Sequence, residues 1–187
     1  MKLLHFNSLG AGHFAGVWLK EAMATVANKL TVAEFEKQYG YEKPYYEFWH
    51  GEAVQKSMPT WIHGLLQIIL SRLLSEAGYK AGSEVKLKID PDFHPVPDVI
   101  ATRRRVEAPY PTKAVEIVIE ILSDDDPMSR VLTKCKTYQS WGFEQIYVVE
   151  PQTRIIFRWT DQRLEETNTL ASLPVDRIWS ALDQELR

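Results

Sequence analysis

Val115-Glu116-Ile117-Val118-Ile119-Glu120-Ile121-Leu122 is the stretch from which the fold is read. Apolar, mostly β-branched residues fill it, as in a central strand covered on both faces. Two glutamates interrupt it. An unpaired buried charge costs several kcal/mol or is forced neutral, so a carboxylate here implies a cationic partner. Side chains alternate along a strand, so Glu116 and Glu120 point the same way. At roughly 3.3 Å per residue they lie about 13 Å apart and cannot hold one ion together. Glu120 therefore needs a partner from another strand.

Upstream, Pro97-Asp98 is the best-placed source. The loop Asp90-Pro91-Asp92-Phe93-His94-Pro95-Val96-Pro97 is stiffened by three prolines and delivers Asp98 to the start of the strand-like Asp98-Val99-Ile100-Ala101. Before it, Glu84-Val85-Lys86-Leu87-Lys88-Ile89 alternates strictly and predicts a strand with one wet face. Downstream, Asp126-Pro127 predicts a helix start, with Asp126 as N-cap and proline in the first turn. That helix carries Val131, Leu132, Cys135 and Tyr138 inward, ends at Gly142, and sets Lys134 and Tyr138 on one face. Two carboxylates and a lysine are the minimum set for metal-assisted cleavage of a phosphodiester. Magnesium, or manganese, takes few carboxylates, a carbonyl and several waters. Asp98, Glu120 and the carbonyl of Ile121 are the expected metal ligands. Lys134 lies outside that shell, to orient the attacking water or stabilise charge on the phosphorane.

The rest of the chain frames this core. Thr31 and Glu34 form a capping-box pattern at a short helix over Leu30–Lys37. Tyr45 to Val54 reads as extended, with a turn at His50-Gly51. Pro59 to Ala77 is the strongest helix, with apolar residues on more than one face, so it is mostly buried. Gln145–Glu150 and Arg154–Trp159 predict a hairpin, and Val175–Leu186 a final helix. The strand–helix–strand run over 114–150 fits a crossover between parallel neighbours. The expected class is α/β, a central mixed β-sheet flanked by helices.

Composition bounds the function. The chain has 187 residues, 45% of them hydrophobic, which suits one domain with a real core. A net charge of −3 excludes a strongly basic coat for nucleic acid, though not a local basic groove. Cys135 is the only cysteine, so an internal disulfide and a cysteine zinc cage are both excluded, and a cytoplasmic setting is the plain expectation. No apolar stretch reaches the roughly 18 residues that span a bilayer. Residues 1–22 make a poor signal peptide and Met23 is a second plausible start. Residues 1–27 are expected to be an N-terminal extension and 28–187 the domain.

Pro97-Asp98, then Glu120-Ile121-Leu122-Ser123, then Lys134 with Tyr138 and Gly142, and the run Gln145-Ile146-Tyr147-Val148-Val149-Glu150-Pro151 resemble the Uma-two family of restriction-endonuclease-like proteins. That family belongs to the PD-(D/E)XK nuclease superfamily. Tyr46-Glu47-Phe48-Trp49-His50-Gly51-Glu52 is similar to its N-terminal Tyr-Glu…Gly-Glu signature, and His63 matches a histidine early in the next helix. The resemblance covers about residues 28–180 and implies a restriction-endonuclease-like fold. It implies Asp98 and Glu120 as metal ligands, Glu52 as a further acidic residue near the site, and Lys134 as the catalytic lysine moved onto the helix. Leu122 holds the superfamily's usual lysine position. Ser123-Asp124-Asp125-Asp126-Pro127 departs from the family's Ser-Pro-Ser-Thr-Arg, and Arg130 stands where an aspartate is common. The implied function is a magnesium-dependent endodeoxyribonuclease with DNA as substrate, for which a homodimer is a plausible assembly. The alternative is a catalytically inactive nuclease-fold module for nucleic-acid or protein interaction; a structural oligomer with ion-paired carboxylates is a third reading.

Plainer roles compete for other residues. Arg103-Arg104-Arg105 suits a solvated strand end better than a phosphate contact. Glu116 reads as a sheet-end charge, Cys135 as a core filler, and the six tryptophans as core rather than base-stacking platforms.

Overall fold

The apolar run becomes the centre of the main sheet. In the computed structural model, which describes residues 29–43 and 45–187, a helix α1 (Val32–Tyr39) precedes a hairpin of β1 (Tyr46–Trp49) and β2 (Glu52–Gln55). Helix α2 (Trp61–Glu76), β3 (Lys80–Ser83), β4 (Phe93–His94), β5 (Val99–Thr102) and β6 (Ile117–Ile121) follow. Helix α3 (Met128–Trp141) leads into β7 (Gln145–Glu150), β8 (Ile155–Thr160) and β9 (Arg163–Glu166). A small pair, β10 (Thr169–Leu170) and β11 (Leu173–Pro174), precedes α4 (Val175–Glu185). The N-terminal extension expected over residues 1–27 lies outside the described residues.

The six-stranded sheet runs β3-β5-β6-β7-β8-β9. β6 and β7 are parallel and the other neighbours antiparallel, so the sheet is mixed. α3 is the crossover between the parallel pair. All five residues of β6 are buried, and alternation sorts them to two cores. Ile117, Ile119 and Ile121 pack with Tyr147 and Val149 against α2 and α4. Val118 packs with Ile146 and Val148 against Val131, Cys135 and Tyr138 of α3. Glu120 shares the face of Val118, so its carboxylate meets α3.

A second sheet, β2-β1-β4, closes over the same end of the molecule. Its hairpin turn has positive φ at both central residues, His50 at 49° and Gly51 at 95°, the combination that matches strand twist in a two-residue turn. A Cβ on Gly51 would meet the Cβ of Lys29 at 2.6 Å, so glycine is required there twice over.

Two local expectations shift. The alternating run Glu84–Ile89 is not a ladder strand; the strand lies earlier, at Lys80–Ser83. Glu84 turns the backbone at φ 55°, and the facing loop offers Pro95 and Pro97, which have no N–H to donate. Single bonds remain, such as Leu87 N–H to the Pro95 carbonyl at 2.9 Å. At α3 the cap residue is Pro127, without a side-chain cap. Asp126 instead accepts from the Ser123 N–H at 2.9 Å and the Ser57 hydroxyl at 2.8 Å, closing the turn after β6.

Candidate active site

The register of β5 on β6 brings the two acids together. Val99 lies opposite Ile119 and Ile100 opposite Val118. One step further out, Asp98 comes beside Glu120. Cross-strand neighbours share a face, with Cβ atoms about 5 Å apart. Asp98 Oδ2 accepts the Ile121 N–H at 2.6 Å, which locks the acid against the end of β6. Both carboxylates are buried and line a cavity of about 40 Å³ with Glu47, Lys56, His63, Ile121, Arg130 and Lys134 among others. That is room for an ion or a water or so, not for a nucleotide. A wider hollow of about 360 Å³ adjoins it, sharing Lys56, Ser57 and His63.

Lys134 and Tyr138 descend from α3 onto Glu120, one helical turn apart. Lys134 Nζ lies 2.7 Å from Glu120 Oε2 and 2.9 Å from Glu47 Oε1. The Tyr138 hydroxyl donates to Glu120 Oε1 at 2.6 Å. Glu47 also accepts from the Val96 N–H at 2.8 Å and from the Trp49 indole N–H at 2.9 Å, its neighbour two along the same strand face. A second ammonium, Lys56 Nζ, donates to Asp98 Oδ1 and the Val96 carbonyl at 2.8 Å each, and reaches Glu84 at 3.1 Å. His63 Nε2 lies 3.2 Å from Asp98 Oδ1 and Nδ1 3.3 Å from Ser123 Oγ, which a neutral ring satisfies on both sides.

Burial and charge act against each other. Burial alone would raise the Asp98 carboxyl, but the Lys56 ammonium and the His63 hydrogen bond outweigh it and hold Asp98 well below the carboxylate range. Glu120 goes the other way. Burial and the neighbouring Asp98 and Glu47 carboxylates exceed the pull of Lys134 and push it up to about 7. Burial would lower Lys134, yet Glu120 and Glu47 keep it firmly protonated. Lys56 likewise stays an ammonium, its burial outweighed by Asp98 and Glu84.

The expected site residues are thus placed as follows. Asp98, Glu120 and Lys134 converge on one cavity, which Ile121 also borders. Glu52 does not join them. It lies opposite Trp49 on the correct face, but beside the His50-Gly51 turn, where it is exposed. Glu47, five residues earlier, is the acid of that segment that lines the cavity. Its signal was legible: a carboxylate inside Tyr45-Tyr46-Glu47-Phe48-Trp49 is as anomalous as Glu120 in its own run. Lys56 and Glu84 carry no such signal. The arginine run sits at the far end of β5, where Arg103 stacks on Tyr79 at 3.7 Å and Arg104 pairs with Glu144 at 2.5 Å.

The donor set suits a divalent cation. Among the described residues, Glu47, Asp98, Glu120 and Asp126 line the cavity with Lys56, Lys134 and Arg130, and Glu84 stands beside Lys56, so acids outnumber cations once Glu120 is ionised. Oxygen-rich, carboxylate-dominated surroundings are those that magnesium and manganese take. Among the described residues, the three ligand atoms that come within 4.8 Å of one another belong to His63, Glu84 and Asp98.

Known proteins agree with this architecture. A crystal structure described as that of "a putative nuclease belonging to DUF820" from Anabaena variabilis ATCC 29413 superposes with a TM-score of 0.66. It is 21% identical and the match covers 82% of this chain and 99% of that one, a likeness of fold. No curated protein matches the chain. No helix among the described residues is long and apolar enough to cross a membrane. The Uma2 family model, described as "Putative restriction endonuclease", matches residues 32–183, and the chain belongs to that family.

Proposed function

We propose that this member of a nuclease family is a divalent-metal-dependent endonuclease that hydrolyses phosphodiester bonds of DNA. One observation carries the reading: Asp98, Glu120 and Lys134 meet in a single buried cavity whose acids, once ionised, outnumber its cations. Asp98, Glu120 and the Ile121 carbonyl would hold magnesium or manganese. When bound, such an ion polarises a phosphate oxygen and lowers the pKa of a bound water.

The chain's own groups do the rest. Asp98 is kept ionised by Lys56 and His63, so it can serve as a permanent anionic ligand. Lys134 orients Glu120 and sets a fixed positive charge where negative charge grows on the phosphate. Tyr138 holds the other Glu120 oxygen, so the carboxylate cannot swing. In hydrolysis the water oxygen bonds to phosphorus as the bond to the leaving sugar oxygen breaks. Glu120, a ligand in this reading, is ionised at that point, and the water proton passes to solvent, which protonates the leaving sugar oxygen. Arg130 borders the cavity, lies 6.0 Å over the Trp49 ring, and makes no ion pair among the described residues. It is the cation left for a flanking phosphate. The cavity is too small to admit a nucleotide, so the nucleic acid lies across the mouth and along the hollow beside Lys43, Tyr45 and Ser57.

The test is cleavage of supercoiled plasmid with magnesium or manganese by the wild type, Asp98→Asn and Glu120→Gln. Nicking that needs metal and drops at least ~100-fold in both variants is expected. Folded, metal-binding protein with no cleavage of DNA or RNA would leave the inactive interaction module instead.

A further inference from the structure

Lys56 is held as a metal ion would be. Its ammonium has oxygens from three residues around it: Val96 O and Asp98 Oδ1 at 2.8 Å each, and the two Glu84 oxygens at 3.1 and 3.2 Å. His63 Nε2 stands beside them, 3.2 Å from the same Asp98 oxygen. His63, Glu84 and Asp98 bring their ligand atoms within 4.8 Å of one another. Two carboxylates, an imidazole and a carbonyl are protein donors from which a divalent-metal site is made, with waters as the remaining ligands, here gathered around a lysine.

The set is built rather than incidental. Glu84 keeps a left-handed backbone, φ 55°, which a non-glycine residue adopts only at a cost. Gln67 from α2 donates to Glu84 Oε1 at 2.6 Å and fixes its carboxylate. Lys56 itself follows β2 and is buried to 14% side-chain exposure. Lys134 differs. Its acceptors are Glu47 and Glu120, with no imidazole and no backbone carbonyl. Two-ion hydrolases place their ions about 3.5–4 Å apart with a shared carboxylate between them. Asp98 is in the position of that shared acid, with Lys56 on one oxygen and the end of β6 on the other.

We infer that Lys56 is a tethered cation occupying the second metal position of this centre, so that the protein takes one divalent ion where the donor set could hold two. The inference rests on the metal-dependent reading of the Asp98–Glu120 site only for the identity of the first ion. Lys56 is a specificity-determining residue: it sets the stoichiometry.

Mn2+ titration by calorimetry and electron paramagnetic resonance tests this on the wild type, Lys56→Met, the double variant Lys56→Met/Glu84→Gln, and Glu120→Gln. The wild type is expected to bind one ion per chain and Lys56→Met two. The added ion is lost again in the double variant. Equal stoichiometry in the wild type and Lys56→Met overturns the inference. Lys56→Met takes the ammonium away from Asp98 and Glu84 and is expected to melt lower without metal, a deficit that Mn2+ removes. Should that variant not fold, Lys56→Gln decides on the same count: two ions per chain support the inference, and one overturns it. Wild type that binds no ion, like Glu120→Gln, defeats the proposed nuclease reading, while a gain of one ion in Lys56→Met still upholds the role of Lys56.

Discussion

Replacing Lys134 by methionine separates charge balance from packing as what holds the site. Its ammonium is 2.7 Å from Glu120 and 2.9 Å from Glu47. At an effective dielectric constant of ~20, unit charges at that range attract by about 6 kcal/mol. Desolvation takes back several kcal/mol for each ion. Methionine keeps most of the volume, removes the charge and leaves two buried carboxylates facing each other. Deleting one partner of a buried pair costs about 3–5 kcal/mol. In a chain of this size that is a melting temperature lower by roughly 6–20 °C. The assay is urea and thermal unfolding in EDTA at about pH 8, above the value of about 7 to which Glu120 is pushed in the wild type; without Lys134 it rises further, so part of the loss is met by proton uptake. Glu120→Gln/Lys134→Met removes both charges and should recover much of the loss, with a coupling of at least about 2 kcal/mol in the cycle. Saturating Mn2+ should also recover about 3 kcal/mol, through mass action on the folded state at roughly a hundred times its dissociation constant. A loss under about 1 kcal/mol, or strict additivity of the two single variants, would refute the reasoning.

Four further outcomes are expected. Because the folded-state pKa of Glu120 is raised, its contribution favours folding below its ordinary value near 4.5 and is lost as pH rises through about 7; metal-free protein should lose stability across that window, and Glu120→Gln should abolish the step in a melting series. The same proton must leave for a cation to bind, so Mn2+ affinity measured by calorimetry should fall as pH drops below about 7; a flat profile would contradict the assignment. Arg130→Gln should weaken DNA binding, with the log–log salt slope smaller by about 1 and the melting temperature unchanged, whereas an unaltered slope in fluorescence anisotropy would remove Arg130 from the phosphate path. Cys135 is buried and its thiol pushed up to about 12, first by burial and then by Glu120; native protein should resist iodoacetamide at neutral pH and react only once unfolded, as mass spectrometry would report.

What the chain states by itself is its strands, helices and the cost of a charge among them. β6 is legible because Ile117, Val118, Ile119 and Ile121 are apolar, as a strand covered on both faces requires, and Glu120 stands out because burial makes an unpaired carboxylate expensive. The same logic marks Glu47, while the family resemblance pointed to Glu52, whose exposure depends on where the hairpin turns. The capping box at Thr31 and Glu34 is local and appears as read. The strand expected over Glu84–Ile89 is not local: it needed donors from a facing loop that prolines withhold. Register, too, is a tertiary fact. Only the β5–β6 pairing puts Asp98 beside Glu120, and only the packing of α3 on the Val118 face brings Lys134 and Tyr138 to them. Lys56 shows the limit most clearly. In one dimension it is a polar residue between a short strand and a loop; in three it is an ammonium enclosed by Asp98, Glu84 and a carbonyl. Charge partners are chosen by distance in space, and sequence records distance along the chain.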